Sequence, residues 1–169
     1  MEVLSFDLKL SEIIPFDSAE FKDEPTFIWV WHADKVPPHI GISTSGKYFS
    51  LKSNGKDEAV DVFKVTELVE RKNIKTLLFE LHDHLEIEEI AVVFKRYTTT
   101  STNEVTCLKP LKAILNCPDA RMLKDLLAEL KAVDRIAKVI GFNIDATFKG
   151  IQDYKVEDIH NRLRKLEND

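Results

Sequence analysis

The sequence predicts an α+β fold, in which a small antiparallel β-sheet or meander packs against helices. Three observations predict this class. Strand-like segments fill the first half of the chain, turns with glycine join neighbouring strands, and helical spacing fills the second half. When strands come first and helices second, the two usually form segregated layers.

Five segments carry the patterns of strands, either alternation of apolar and polar residues or runs of β-branched and aromatic residues. They are residues 3–10, 26–31, 39–43, 48–51 and 74–81. The turn at Ser45 and Gly46 makes the third and fourth of these a hairpin. Asn54 and Gly55 predict a second turn, after which residues 60–63 extend the meander.

Helical spacing of apolar residues predicts five helices, at residues 66–72, 85–97, 107–115 and 118–140 and from 156 onward. Pro110 falls in the first turn of the third helix, where proline is tolerated. Gly141 ends the fourth helix, whose broad apolar stripe is suited to a core or to the surface of a homodimer. A polar, threonine-rich connection spans residues 98–103.

Length and composition suit a single globular domain over residues 1–169. Hydrophobic residues make up 44% of the chain and charged residues 31%, and the net charge is −5. The acidic balance and the lack of a basic stripe argue against nucleic-acid binding. Because the chain has neither an export signal nor a long uninterrupted apolar run, we expect a cytoplasmic protein without a transmembrane segment. Its two cysteines are then thiols rather than a disulfide.

Cys107 is the best candidate for nucleophilic chemistry, because it stands at the predicted start of a helix. The unpaired amides and partial positive charge of a helix N-terminus stabilise a thiolate, and the same amides can hold a developing oxyanion. The alternative is a small buried residue that packs as a hydrophobe. Cys117 precedes a proline and is interpreted as structural.

His39 is the candidate base for this thiol. It opens a strand after the rigid pair Pro37 and Pro38, and Gly41 leaves room for another group to approach that strand closely. An adjacent imidazole is a common means of activating a cysteine nucleophile. The alternative is a strand histidine whose ring is satisfied by a backbone carbonyl.

One stretch of the chain resembles a known family. Trp-Val-Trp-His at 29–32, His-Ile-Gly-Ile at 39–42 and Gly-Lys-Tyr-Phe-Ser at 46–50 are similar to the histidine-bearing hairpin of the circularly permuted papain-fold family, which includes NlpC-like amidases and relatives of lecithin retinol acyltransferase. In that family the histidine strand comes first and a cysteine at a helix start follows. The resemblance implies a permuted papain-like core over residues 26–116, followed by a helical C-terminal extension over 118–169.

The resemblance also implies a polar residue on the next strand that orients the imidazole, and Ser50 stands nearest to that position. A serine hydroxyl can accept a hydrogen bond from the ring but cannot stabilise an imidazolium with a charge. We therefore predict a cysteine hydrolase or acyltransferase acting on an unidentified amide or ester through Cys107 and His39, with Ser50 orienting the ring and with no cofactor or metal. The alternative is a non-catalytic interaction module that retains the papain-like frame.

Two further patterns have structural interpretations. His82, Asp83 and His84 would place two histidines on one face if the strand continued, but they suit a solvated turn in which Asp83 caps the next helix. Trp29 and Trp31 share one face of a strand and are expected to pack there rather than bind a ligand.

Overall fold

A computed structural model describes residues 5–99 and 106–168 of the chain. The strands within these ranges are β1 Ile13–Pro15, β2 Phe27–Trp31, β3 His39–Thr44, β4 Lys47–Lys52, β5 Gly55–Asp61, β6 Thr76–Leu81 and β7 Ile136–Phe142. The α-helices are α1 Val62–Arg71, α2 Ile87–Phe94, α3 Leu108–Leu115, α4 Leu123–Ala132 and α5 Val156–Asn168. A single 3-10 turn, Leu10–Glu12, precedes β1. No helix in these ranges is long and apolar enough to cross a membrane.

The seven strands form one mixed sheet in the order β1-β7-β6-β2-β3-β4-β5. β1 runs parallel to β7, and every other neighbouring pair is antiparallel. The predicted α+β class is thus confirmed, although the sheet is larger than a small meander and receives strands from both ends of the chain.

Each face of the sheet carries its own apolar core, because side chains alternate between the faces along every strand. We call one face the helical face: residues such as Ile40, Ile42 and Phe49 pack there against α2, α3 and α4. On the other, the aromatic face, Trp29 and Tyr48 pack with one side of α1. Trp29 is fully buried, and its indole N–H donates to Ser43 Oγ at 2.8 Å, so the packing role expected of this tryptophan is confirmed.

The strand predicted over residues 3–10 is wrong over the part that the structure describes. Phe6 and Leu8 are buried and alternate with exposed neighbours, as the pattern indicated. Residues 5–9 nevertheless join no ladder, and the strand of this region is β1. Alternation here reflects a segment lying against the core without backbone pairing. Residues 3 and 4 lie outside the described ranges.

The long fourth helix is also wrong, and residues 118–169 contain a strand as well as helices. α4 ends at Ala132, and Asp134 adopts a positive φ of 53° that turns the chain. Residues 136–142 then form β7, which pairs with β6 on one side and β1 on the other. Ile136 and Ile140 are four positions apart and fit a helical stripe, but pairing on both sides overrides that local pattern.

The hairpin and most other elements are confirmed within a few residues. α1 begins at Val62 rather than Thr66, because Asp61 caps it by accepting a hydrogen bond from the Phe63 amide at 3.1 Å. α3 begins after Cys107, with Pro110 in its first turn, as predicted. Of the predicted polar connection over 98–103, residues 100–103 lie outside the described ranges.

Candidate active site

A cavity of about 380 Å³ opens where β3 begins, with walls from both faces of the sheet. Trp31 and Tyr48 come from the aromatic face, and Ile40 and Leu108 come from the helical face. α5 forms a further wall with one side of the helix. The residues it contributes are Ile159, Arg162, Leu163 and Leu166.

His39 is the first residue of β3 and lines this cavity. It pairs across the sheet with Trp31, and the two rings meet edge to face with centroids 6.3 Å apart. Burial lowers the pKa of His39 to about 4, although the negative charge of Asp57 acts in the opposite direction. The imidazole is therefore neutral at pH 7, which is the form able to accept a proton.

Asp57 is a carboxylate whose charge acts on this imidazole, and the sequence interpretation missed it. The turn at Ser53 and Asn54 sets the register in which Ser50 lies opposite Asp57. Ser50 Oγ donates to Asp57 Oδ2 at 2.9 Å, and Lys52 Nζ lies 3.1 Å from Oδ1. Counting outward from the predicted Asn54-Gly55 turn would have paired Asp57 with Lys52, because the observed turn lies one residue earlier, and only residues 60–63 were assigned to the strand.

Ser50 therefore has a different partner from the one expected of it. Its side chain is fully buried and its hydroxyl proton is directed to Asp57. Within residues 5–99 and 106–168, no hydrogen bond joins Ser50 to the His39 ring. The hydroxyl fixes the carboxylate, and the carboxylate acts on the imidazole through its charge.

Cys107 occupies the N-cap position of α3 without a side-chain capping hydrogen bond, and it packs against the core of the helical face. Burial raises the pKa of the Cys107 thiol, and the amides of Ile40 and of Cys107 itself, together with the charge of Arg162, offset only part of this rise. The direction of this shift is opposite to the one expected for a thiolate at position 107. A helix N-terminus favours the anion, but the loss of solvent outweighs it.

The structure brings Cys107 and His39 to one cavity without joining them directly. The imidazole packs among the rings of the aromatic face, whereas the thiol belongs to the core of the helical face. Both residues are described, and no hydrogen bond connects the thiol to the ring. The two groups approach the beginning of β3 from opposite sides.

Two buried polar atoms beside the cavity have no hydrogen-bond partner among the described residues: the Trp31 indole nitrogen Nε1 and the Tyr48 hydroxyl. Burial raises the pKa of Tyr48 well above its ordinary range, so the phenol keeps its proton. Gly41 makes this arrangement possible, because a Cβ at position 41 would lie 2.3 Å from the Tyr48 hydroxyl oxygen. The close approach expected at Gly41 is confirmed, and the approaching group is Tyr48.

The second cluster, His82 to His84, forms a loop between β6 and α2. Asp83 accepts a 2.7 Å hydrogen bond from Arg135 Nε and does not cap α2, whose N-cap is Glu86. His84 Nε2 lies 3.3 Å from Ser45 Oγ. Over the described ranges, no group of three or more potential metal-ligating side chains is found.

Cys117 lies in the core of the helical face, and both cysteines are free thiols. Its Sγ donates to the Leu115 carbonyl at 3.6 Å. Burial raises the pKa of Cys117 to about 11, so this thiol stays protonated. These features support the structural interpretation of Cys117.

Comparisons with known proteins do not assign the chain to a family. No family model, no curated protein and no solved structure matches the chain. Any function must therefore be inferred from the cavity and its own residues.

Proposed function

We propose that the protein is a cysteine hydrolase or acyltransferase that acts on an amide or ester bond at this cavity. The observation that supports the proposal is that Cys107 and His39 line the same cavity, with the charge of Asp57 acting on His39. This order of a histidine strand and a cysteine helix matches what the permuted papain-like resemblance implies. A neutral imidazole and a protonated thiol are the pair needed for general-base activation.

The proposed reaction has two stages. In the first, His39 takes the proton of the Cys107 thiol, sulfur bonds to the acyl carbon, and the proton passes to the amine or alcohol that leaves. In the second, water, or an acceptor amine or hydroxyl in a transferase, breaks the thioester and returns a proton to the thiol through His39. The Cys107 amide at the start of α3 is the proposed oxyanion donor.

Asp57 takes the orienting role that the sequence suggested for Ser50. Its charge favours the imidazolium that forms when His39 holds the thiol proton, and Ser50 holds the carboxylate in place. The thiol and the ring must still come within hydrogen-bond distance, directly or through one water, once substrate binds.

The test is acylation of Cys107 by p-nitrophenyl acetate and p-nitrophenyl butyrate. Intact mass and peptide mass spectrometry measure the rate at which the acyl group appears on Cys107. We expect His39→Ala to slow this step by about 100-fold or more, the usual contribution of a general base. His82→Ala, at an exposed loop histidine, is the matched control and should react at the wild-type rate.

Three outcomes would contradict the proposal. In the first, neither ester acylates Cys107 of the wild-type protein. In the second, Cys107 and Cys117 are acylated in equal yield. In the third, the His39→Ala variant reacts as fast as wild type. Each would mean that the imidazole does not activate this thiol.

A second candidate is a non-catalytic binding module that keeps the same frame. The observation that favours it is the raised pKa of Cys107 together with the missing thiol–imidazole hydrogen bond among the described residues. Both groups are then uncharged and separate. Under this alternative Cys107→Ala leaves ligand binding intact and neither ester acylates the wild-type protein.

A further inference from the structure

The cavity has a charge balance opposite to that of the whole chain. The protein carries 29 acidic and 24 basic residues, but the cavity lining contains one carboxylate, Asp57, and two permanent cations, Lys52 and Arg162. Lys52 is paired with Asp57 at 3.1 Å. The charge that remains in the described lining is therefore that of Arg162.

Arg162 is held at the cavity by the apolar side of α5. Ile159, Leu163 and Leu166 lie three or four positions apart along the helix and line the same cavity, with Leu163 buried. No described carboxylate lies within ion-pair distance of Arg162. A guanidinium on the cavity wall without a partner acid can bind an anion from outside.

The position of this charge is supported by its influence on the reactive groups. Burial is the main influence on the pKa of His32, His39 and Cys107, and the positive charge of Arg162 acts on all three. The guanidinium therefore lies close enough to the thiol and to the imidazole to be felt by a substrate that contacts both.

We propose that Arg162 selects acyl substrates that carry a carboxylate close to the bond that is broken. A planar guanidinium binds a carboxylate through parallel N–H donors. The single cation of the described lining that has no partner acid suits a singly charged group. This inference rests on the proposed function, since it names the substrate class of that site.

The test compares two alkylating agents that differ in charge and share the same reaction. Iodoacetate and iodoacetamide each form a bond from carbon to the Cys107 sulfur, release iodide and leave the thiol proton to solvent. Peptide mass spectrometry gives the rate at Cys107 in the full-length protein, and N-acetylcysteine in the same buffer gives the ratio for a free thiol. The ratio of the two rates cancels the thiolate fraction, which is common to both reagents.

We expect the iodoacetate to iodoacetamide ratio at Cys107 to exceed that of N-acetylcysteine. Arg162→Met should lower it by about fivefold, the upper size for one charge pair near a surface, and Arg162→Lys should retain part of the preference. Arg164→Met is the matched control, because Arg164 is on the same helix and bonds to Asn161. Added salt should reduce the preference in wild type.

Equal ratios in wild type and Arg162→Met would overturn the proposal. An equal fall of the ratio in Arg164→Met would also overturn it. So would a failure of both reagents to alkylate Cys107 under conditions in which they alkylate N-acetylcysteine. If Cys107 prefers the anionic reagent but no ester acylates it, the proposed hydrolase or acyltransferase activity is refuted, and the cavity binds anions without catalysis. Ester acylation that depends on His39, without an anion preference, would refute the selection by Arg162 and leave the enzyme.

Discussion

The cavity has two unlike halves, an imidazole half and a thiol half. In the imidazole half, His39 packs on Trp31, and Asp57 is fixed by Ser50 and Lys52. In the thiol half, Cys107 sits among apolar side chains, and the groups that favour its anion are backbone amides and the charge of Arg162.

The difference indicates that the proposed base is organised before substrate arrives and the proposed nucleophile is not. The imidazole is neutral and has a carboxylate nearby, whose charge offsets part of the burial that disfavours its protonated form. A buried thiol with a raised pKa has to wait for a partner to take its proton. Such an arrangement protects the sulfur from oxidants, because the thiolate is the reactive form.

The largest expected effect concerns the pH dependence of stability. Between pH 6.5 and about 4 the unfolded chain binds a proton at His39 and the folded chain does not, so stability falls as the pH falls. We expect wild type to lose about 3 kcal/mol more than His39→Gln across this window. Urea unfolding at a series of pH values measures the difference.

The exposed loop residue His82 provides the control for this measurement. His82→Gln should follow the wild-type pH dependence. If His39→Gln shows the same slope as wild type, the imidazole is not held neutral by its surroundings, and the contrast between the two halves disappears.

The next effect concerns the packing behind the imidazole half. Gly41→Ala places a methyl group 2.3 Å from the Tyr48 hydroxyl oxygen, and the ring is too buried to move aside. We expect a loss of about 2 kcal/mol from overpacking, measured by urea unfolding. The double variant Gly41→Ala/Tyr48→Leu should lose less than the sum of the single changes. An additive result would mean that another contact restricts position 41.

The smallest effect is expected for the carboxylate. Asp57→Asn keeps the shape of the side chain but removes its charge, and it should cost about 1 kcal/mol because Lys52 is partly exposed. NMR titration should also report a lower pKa for His39, since Asp57 raises it. Glu58→Gln, on the same strand and paired with Lys56, is the control. If the pKa of His39 is unchanged in Asp57→Asn, the charge of Asp57 does not act on the imidazole, and this prediction is wrong.

The elements that could be predicted from the sequence are those with local causes. The hairpin of β3 and β4 follows from alternation around a glycine turn, and α3 begins where a polar stretch of the sequence gives way to helical spacing of apolar residues. His39 and Cys107 were found for the same reason, because each stands at the start of an element.

What escaped prediction depends on residues distant in the chain. β7 is a strand because β6 and β1 pair with it, and its own sequence also fits a helix. The thiol pKa is raised by packing that no local pattern near Cys107 reveals. Arg162 reaches the cavity because one side of α5 lines it together with the start of β3, and helix spacing alone does not say which surface a helix will cover.

The place of β1 in the sheet has a consequence for how the protein is made. β1 is an edge strand of the described sheet and its neighbour there is β7, so this pairing cannot form until β7 has been synthesised. The strands β2 to β6 are neighbours in the chain and can assemble first on the ribosome. The described sheet is therefore completed late, when β7, which is made after β2 to β6, joins β1, which is made before them.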